Sequence, residues 1–434
     1  MGCVAKKELY GRLLTWPRGW LEDGGRAADL PKGIQLLKPL TKGHCTRCGG
    51  TDRAPLPQGQ SYCLDCLALG RVSTRDVLVT LPEPNAFEKR GKMIWTGELT
   101  EEQAILSEEM IQNARDGHDQ LLVAVTGAGK TEMLFCLIDW ALSSKQRVGL
   151  VSPRVDVLME LAPRIEKAFD VSMQVLYGEQ TAPYRYTQLV LATTHQLLRF
   201  YRAFDLLLID EVDAFPFRKN SLLERAVERS LKKDGRRLLM TATPSKKLLR
   251  AVHHGQLRLL ERAARYHGHP LPEITCLYDR HWEKRASKVL KKTLAAFREA
   301  GKPFFLFVPR VRYLLPVLSY VQALGFEAGT TVHANDPQRL DKVQQMRAGQ
   351  FDYLVTTTIL ERGVTVSGLQ VVILGADDPT FSKETLVQMA GRVGRSAEDP
   401  VGQVLAIAAG PARSIRAAQK EIRMLNRKAE EKQS

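Results

Sequence analysis

The stretch Ala124-Val-Thr-Gly-Ala-Gly-Lys-Thr-Glu132 follows an apolar run at 121–125 and opens a helical pattern from Met133 to Leu142. A strand that enters a Gly-rich turn and then a helix makes a phosphate cradle. Backbone N–H groups and the positive helix end face the anion, Lys130 reaches the outer phosphates, and the Thr131 hydroxyl can hold Mg2+. Thr126, Gly127, Ala128, Gly129, Lys130 and Thr131 are therefore the candidate ATP and magnesium residues. Thr126 stands where the strict P-loop spacing has its first glycine. By itself the loop indicates nucleotide binding and says nothing of the work done.

Outward from the loop, short apolar runs at 121–125, 148–151, 189–192, 206–209 and 238–240 alternate with helical stretches at 131–143, 154–168 and 221–233. Such alternation predicts a parallel sheet covered by helices. After a basic, helix-like segment at 282–299 a second series begins. Its strands are expected at 304–308, 353–355, 371–374 and 404–407, and its helices at 310–323, 337–349 and 383–394. The second series has no Gly-Lys-Thr loop. The expected organisation is an N-terminal region over 1–95 and two similar α/β domains over 96–250 and 251–434. Residues 81–86, Leu-Pro-Glu-Pro-Asn-Ala, read as a linker, because Pro and its preceding residue disfavour helix.

Asp210-Glu-Val-Asp213 follows the run at 206–209. A buried strand that ends in acids places carboxylates at the sheet's carboxyl edge, beside the Gly loop. There Asp210 can hold Mg2+ and Glu211 can polarise the attacking water. Arg392 and Arg395 lie three apart on the helix predicted over 383–394, hence on one face. Their permanently charged forks suit γ-phosphate recognition in trans. Gly391 and Gly394 disfavour a plain solvated helix face there.

Together these residues resemble superfamily 2 helicases and translocases, and further stretches match in order across roughly residues 99 to 395. The resemblance implies that Ser152-Pro153-Arg154 and Thr193-Thr194-His195-Gln196 grip a single strand. It implies that Thr241-Ala-Thr243-Pro244 couples hydrolysis to movement. Thr356-Thr357-Thr358-Ile-Leu-Glu-Arg-Gly363-Val364 resembles the second-domain motif touching strand and nucleotide. Gln388-Met-Ala-Gly-Arg392-Val-Gly-Arg395 resembles the last motif, with Gln388 a coupling residue and arginines that reach across the cleft. Gln103 matches the upstream glutamine that reads adenine. The fold then implied is two tandem RecA-like domains.

Cys45-x-x-Cys48 and Cys63-x-x-Cys66 sit fourteen residues apart in a Gly/Pro-rich segment. Two such knuckles can present four thiolates tetrahedrally to Zn2+, giving a small module at about 41–70. An iron–sulfur cluster is the alternative metal centre. Cys3, Cys136 and Cys276 are scattered, and seven cysteines without an even framework indicate a reducing compartment rather than disulfides. The chain has 434 residues, of which 63 are Lys or Arg and 48 Asp or Glu, a net +15 that favours a polyanionic partner. No apolar run approaches the ~20 residues that span a bilayer. Near the C-terminus Arg413, Arg416, Lys420, Arg423 and Arg427 recur on one helical face, with Ile415, Ala418, Ile422 and Leu425 opposite. The apolar face is expected to dock on the second domain. The basic face is either solvated or a contact for nucleic acid or anionic membrane.

The four-cysteine module ahead of the motor and the run Asp210 to Pro216 resemble the ComFA family, late competence ATPases of Gram-positive bacteria. That resemblance implies a cytoplasmic, peripherally membrane-associated ATPase, stimulated by single-stranded DNA, with ComFC, DprA and the ComEC channel as partners. PriA-type helicases and general repair or RNA helicases share the motor core. An ATP-gated binding platform without net translocation is the alternative of another class.

Overall fold

A computed structural model describes residues 6–22, 30–178, 183–396 and 398–433; Cys3 lies outside them. The chain resolves into two compact units, residues 1–123 with 131–260, and residues 124–130 with 261–434.

The first unit is built on a seven-stranded sheet. Its order is Met173–Leu176, Leu189–Thr193, Val148–Ser152, Phe204–Ile209, Leu231–Thr241, Gln120–Ala124 and Arg258–Arg262. The pairs from Met173–Leu176 through Gln120–Ala124 are parallel. The three central runs Val148–Ser152, Leu189–Thr193 and Phe204–Ile209 are buried almost throughout, as a parallel sheet with both faces covered requires. Helices Glu101–Arg115, Lys130–Ser143, Val155–Ala168 and Ser221–Ser230 cover it. Residues 231–233 are expected in a helix; instead the helix stops at Ser230 and a long strand, Leu231–Thr241, begins. Its pairing shifts between Phe204↔Leu231 and Leu206↔Arg236, so a bulge absorbs the polar Lys-Lys-Asp-Gly stretch before the apolar run joins the ladder. The two outer strands, Met173–Leu176 and Arg258–Arg262, have weaker apolar runs and are not anticipated from the sequence.

The N-terminal residues belong to this same unit. A small antiparallel sheet, Leu14–Pro17, Asp76–Thr80 and Gln35–Leu37, stands beside two hairpins, Leu40–Thr41 with His44–Cys45 and Arg53–Leu56 with Gln60–Cys63. Residues 81–86, read as a linker, are locked down. Leu81 accepts from the Gly11 N–H at 2.8 Å, and Glu83 is ion-paired to Arg147 at 2.6 Å with both side chains fully buried. Proline sets the extended backbone there, but a carboxylate between two prolines finds a buried guanidinium, which local pattern does not reveal.

The second unit carries a six-stranded parallel sheet ordered Ile274–Tyr278, Val404–Ala408, Gln370–Leu374, Phe304–Phe307, Tyr353–Thr356 and Gly329–Val332. Phe304, Leu306, Tyr353, Val355, Val372 and Ile407 form its core with helix Lys288–Glu299. The edge strands Ile274–Tyr278 and Gly329–Val332 are again the ones the apolar runs miss. The helix expected over 383–394 ends at Ala390. Gly391 caps it and Gly394 takes φ +64°, so Arg392 and Arg395 sit in a turn rather than on a helical face. Helix Arg413–Gln433 docks through Ile415, Ala418 and Ile422. Among the described residues no helix is long and apolar enough to cross a membrane.

Candidate nucleotide site and four-cysteine centre

The strands Gln120–Ala124, Leu231–Thr241 and Phe204–Ile209 are parallel neighbours, so their carboxyl ends share one edge of the sheet. Asp210 and Glu211 leave that edge. The Asp210 N–H donates to Val151 O at 2.8 Å, and the Glu211 N–H donates to the Asp210 carboxylate at 2.9 Å. Glu211 holds a left-handed backbone, φ +55°, which costs a non-glycine residue about 1–2 kcal/mol and is concentrated at functional sites. Asp213 is nearly buried and accepts the hydroxyls of Thr241 and Thr243, each at 2.7 Å. Its part was not read from the sequence, although the hydroxyl–x–hydroxyl spacing of Thr241 and Thr243 suits one carboxylate with two oxygens.

Other strand ends on this edge carry the residues expected to grip nucleic acid. Arg154 caps helix Val155–Ala168, with its guanidinium 3.7 Å from Asp156, and Pro153 precedes it. Thr193 and Thr194 are buried, so what they can offer a strand is backbone. His195 is only half-buried, and burial lowers its pKa from the ordinary value. Gln103 is 4% exposed and serves a capping box: its Oε1 accepts from the Thr100 N–H at 3.0 Å.

The phosphate loop, 124–130, is counted with the second unit. Gly127 at φ +86° and Gly129 at φ +73° adopt the left-handed backbone that curls N–H groups inward, and the helix begins at Lys130. Thr126, in place of a glycine, directs its hydroxyl to Gln388 Oε1 at 3.3 Å. That explains how the departure is accommodated. A Cβ on Gly391 would lie 2.8 Å from Thr126 Cβ, so glycine is needed where the two segments meet.

Within the same unit Arg392 is buried and donates from Nε to Glu361 O at 2.7 Å and from Nη1 to Val364 O at 2.6 Å. Arg395 is half-exposed; its Nη1 donates to Thr365 Oγ1 at 3.1 Å. Gly363, at φ +72°, lies in the segment Arg392 holds. Thr357 and Thr358 are half-exposed just past strand Tyr353–Thr356. Two arginines of this unit were missed by sequence reasoning. Arg362 is buried 3.6 Å from Glu361, and Arg265 is buried against the turn at 391–394. Nothing in the local sequence separates Arg265 from its basic neighbours.

Cys45, Cys48, Cys63 and Cys66 are all buried, and their sulfurs lie within 4.8 Å of one another. Cys45 and Cys66 sulfurs are 3.8 Å apart and those of Cys48 and Cys63 3.4 Å, too far for a disulfide. A tetrahedral ion with ~2.3 Å metal–sulfur bonds sets sulfurs about 3.8 Å apart, so the set fits Zn2+. Hydrogen bonds from the Cys48 and Cys66 thiols favour the thiolate at Cys45 and push the pKa of Cys48 and Cys66 up in return. Arg47 donates from Nε to Cys66 Sγ at 3.3 Å. Arg229 donates to Thr46 O at 3.2 Å and to Leu198 O at 2.9 Å, and burial lowers its pKa to about 10. The knuckle is thus tied to the helix that follows the acids and to the 3-10 turn Thr194–Arg199.

The family described as DEAD/DEAH box helicase matches residues 105–251, and the helicase conserved C-terminal domain matches residues 285–397. Competence protein ComFA of Bacillus subtilis (strain 168) is 39% identical over 395 residues, covering 88% of this chain and 85% of that protein. Competence protein ComFA of Streptococcus pneumoniae (strain R6) is 38% identical over 435 residues, 97% of this chain and 98% of that one. The chain belongs to the ComFA family of competence proteins. It is a superfamily 2 helicase with an ATP site, and its function is an ATP-dependent, helicase-type one in competence. Among solved structures, Mycobacterium smegmatis helicase Lhr bound to ssDNA and AMP-PNP aligns with TM-score 0.59 at 16% identity over 76% of this chain and 48% of that one. Saccharomyces cerevisiae Dbp5 bound to RNA and ADP BeF3 aligns with TM-score 0.53 at 14% identity, 76% of this chain and 92% of that one. These two likenesses establish the paired RecA-like fold of this ComFA-family chain.

Proposed function

We propose that this chain hydrolyses magnesium ATP to move along single-stranded DNA while transforming DNA is imported. Lys130 and the N–H groups of 127–131 hold the phosphates, and Thr131 and Asp210 would hold the Mg2+ that offsets their charge. Glu211 orients and deprotonates the attacking water; Arg392 and Arg395 act on the γ-phosphate. Gln103 contacts adenine. Pro153, Arg154, Thr193, Thr194, His195, Thr357 and Thr358 contact the strand, largely through backbone where the side chains are buried. The four cysteines hold Zn2+, which would supply the tetrahedral link that a module this small needs to fold.

The observation that carries the coupling is Asp213. One carboxylate joins the segment bearing Asp210 and Glu211 to Thr241 and Thr243, so a shift at the acids is felt at the next strand end. The ComFC, DprA and ComEC partnerships rest on family resemblance, as does a peripheral membrane location; the exposed cations Arg413, Arg416, Lys420 and Arg427 offer such a contact.

The test is an ATPase titration with single-stranded DNA, duplex DNA and RNA, paired with displacement of a protein block from an immobilised strand. Single-stranded DNA is expected to raise turnover most and to support displacement. Flat turnover in all three arms would favour an ATP-gated platform and end the translocase reading.

A further inference from the structure

Arg265 lies just past strand Arg258–Arg262 and is 2% exposed. Its guanidinium takes the carbonyls of a single turn. Nη1 donates to Gly394 O at 2.7 Å and Nη2 to Val393 O at 2.8 Å, with Gly391 O at 3.5 Å. Nε2 of His267 is 3.0 Å from the same Gly394 carbonyl. The segment around Arg265 also grips the phosphate loop. The Val125 N–H donates to Arg262 O at 3.1 Å, and the Tyr266 N–H donates to Gly127 O at 2.9 Å.

A buried guanidinium is costly unless its donors are met. Here no carboxylate pairs with it among the described residues; carbonyl dipoles at the end of helix Lys383–Ala390 supply the compensating negative potential. Burial, and secondarily the charge of Arg395, lowers its pKa to about 10. A group held this way fixes shape: only a planar fork reaches Val393 O and Gly394 O together, and both belong to the turn that presents Arg392 and Arg395.

We propose that Arg265 is a positioning residue for ATP hydrolysis, a strut that sets Arg395, at the end of the turn, against the phosphate-loop residues Thr126 and Gly127, while Arg392 is held independently by Glu361 O and Val364 O. This rests on the reading of Arg395 as a γ-phosphate contact. Without the fork the turn relaxes, and a displacement near 1 Å at a charge-stabilising group costs about 10²-fold in rate.

Three single variants and one double variant test it: Arg265→Lys, Arg265→Ala, Arg395→Ala and Arg265→Ala/Arg395→Ala. DNA-stimulated kcat and the Kd of a fluorescent ATP analogue are measured. Arg265→Lys keeps charge and approximate volume, so it reports even if Arg265→Ala folds poorly. Both Arg265 variants are expected to lose about 10–100-fold in kcat while Kd stays within about threefold. Adding Arg265→Ala to Arg395→Ala should cost less than about threefold more, and millimolar guanidinium should partly restore Arg265→Ala. Wild-type kcat in Arg265→Lys alongside a slow Arg395→Ala overturns the strut and leaves the arginine assignment standing. Fully multiplicative losses in the double variant overturn it as well. Wild-type kcat in Arg395→Ala instead removes the reading on which the strut depends.

Discussion

The ion pair between Glu83 and Arg147 gives the sharpest stability prediction. Both side chains are fully buried, with Glu83 Oε2 at 2.6 Å from Arg147 Nη1. Arg147 also donates to Tyr10 O at 3.2 Å, Thr187 O at 3.1 Å and the Tyr184 hydroxyl at 2.5 Å, so its other donors are met by neutral groups. Glu83 in turn accepts from the Tyr186 hydroxyl. Glu83→Ala removes the anion paired with an enclosed guanidinium, and breaking such a pair from one side costs about 3–5 kcal/mol. The units need not unfold together, so a global melt is a poor readout. Native-state hydrogen exchange over residues 76–90 and 186–192 reads the local opening free energy directly. At about 1.4 kcal/mol per tenfold, exchange there should quicken from about 150-fold to a few thousand-fold. Replacing both partners by apolar residues, Glu83→Leu with Arg147→Met, should cost less than the sum of the single changes, because no charge is left stranded. Exchange in Glu83→Ala within about fivefold of wild type, or strict additivity in the cycle, would refute the claim that this pair clamps the N-terminal region to the motor sheet.

Further outcomes are expected at the site. Glu211→Gln should retain ATP and slow hydrolysis by about 10²–10⁴-fold, and near-normal turnover would remove Glu211 as the base. Asp213→Asn should leave basal hydrolysis within a few-fold but abolish its stimulation by single-stranded DNA; full stimulation would show that Thr241 and Thr243 need no carboxylate. Purified protein should carry one Zn2+ by metal analysis, lost in Cys63→Ser. Because the cysteines share a core with Leu197, Phe200 and Leu223, metal loss should also speed exchange at 194–200 and 221–230. Confinement of that effect to residues 40–70 would contradict the shared core. Burial holds the folded His195 pKa below its ordinary 6.5, so the unfolded chain binds the proton first. Stability therefore declines as pH drops beneath about 6.5 and is indifferent to this group well above it, and His195→Gln should flatten that part of a stability–pH profile.

Central strands, the phosphate loop and the acids were legible because each leaves a local mark. A strand buried on both faces reads as an unbroken apolar run, and Gly127 and Gly129 are demanded by a backbone that other residues resist. What escaped notice was set by tertiary partners. Edge strands such as Gly329–Val332 are half-buried and gain their order from one neighbour. The turn at 391–394 reads as helical when Gly391 and Gly394 count only against a solvated helix face, whereas Gly391 caps the helix and Gly394 ends regular structure by going left-handed. Glu83 and Arg265 belong to residue types found mostly at the surface, and their burial depends on partners 64 and 129 positions away.

The arginines around the cysteine centre bear on what that centre holds. Arg47 points a guanidinium N–H at Cys66 Sγ, and Arg229 reaches the carbonyl of Thr46 between the two ligands of one knuckle. Neither is paired with a carboxylate among the described residues. Both also donate to backbone carbonyls, Arg47 to Cys66 O and Gly70 O and Arg229 to Thr46 O and Leu198 O. Four thiolates around Zn2+ would carry a net charge of −2, which the two guanidinium groups would offset. The same Arg229 holds Leu198 O, in the 3-10 turn that carries Thr194 and His195. Zn2+ bound there would place its negative thiolate shell beside an arginine whose second fork arm holds Leu198 O, so loading of the centre would bear on the segment expected to meet the DNA strand.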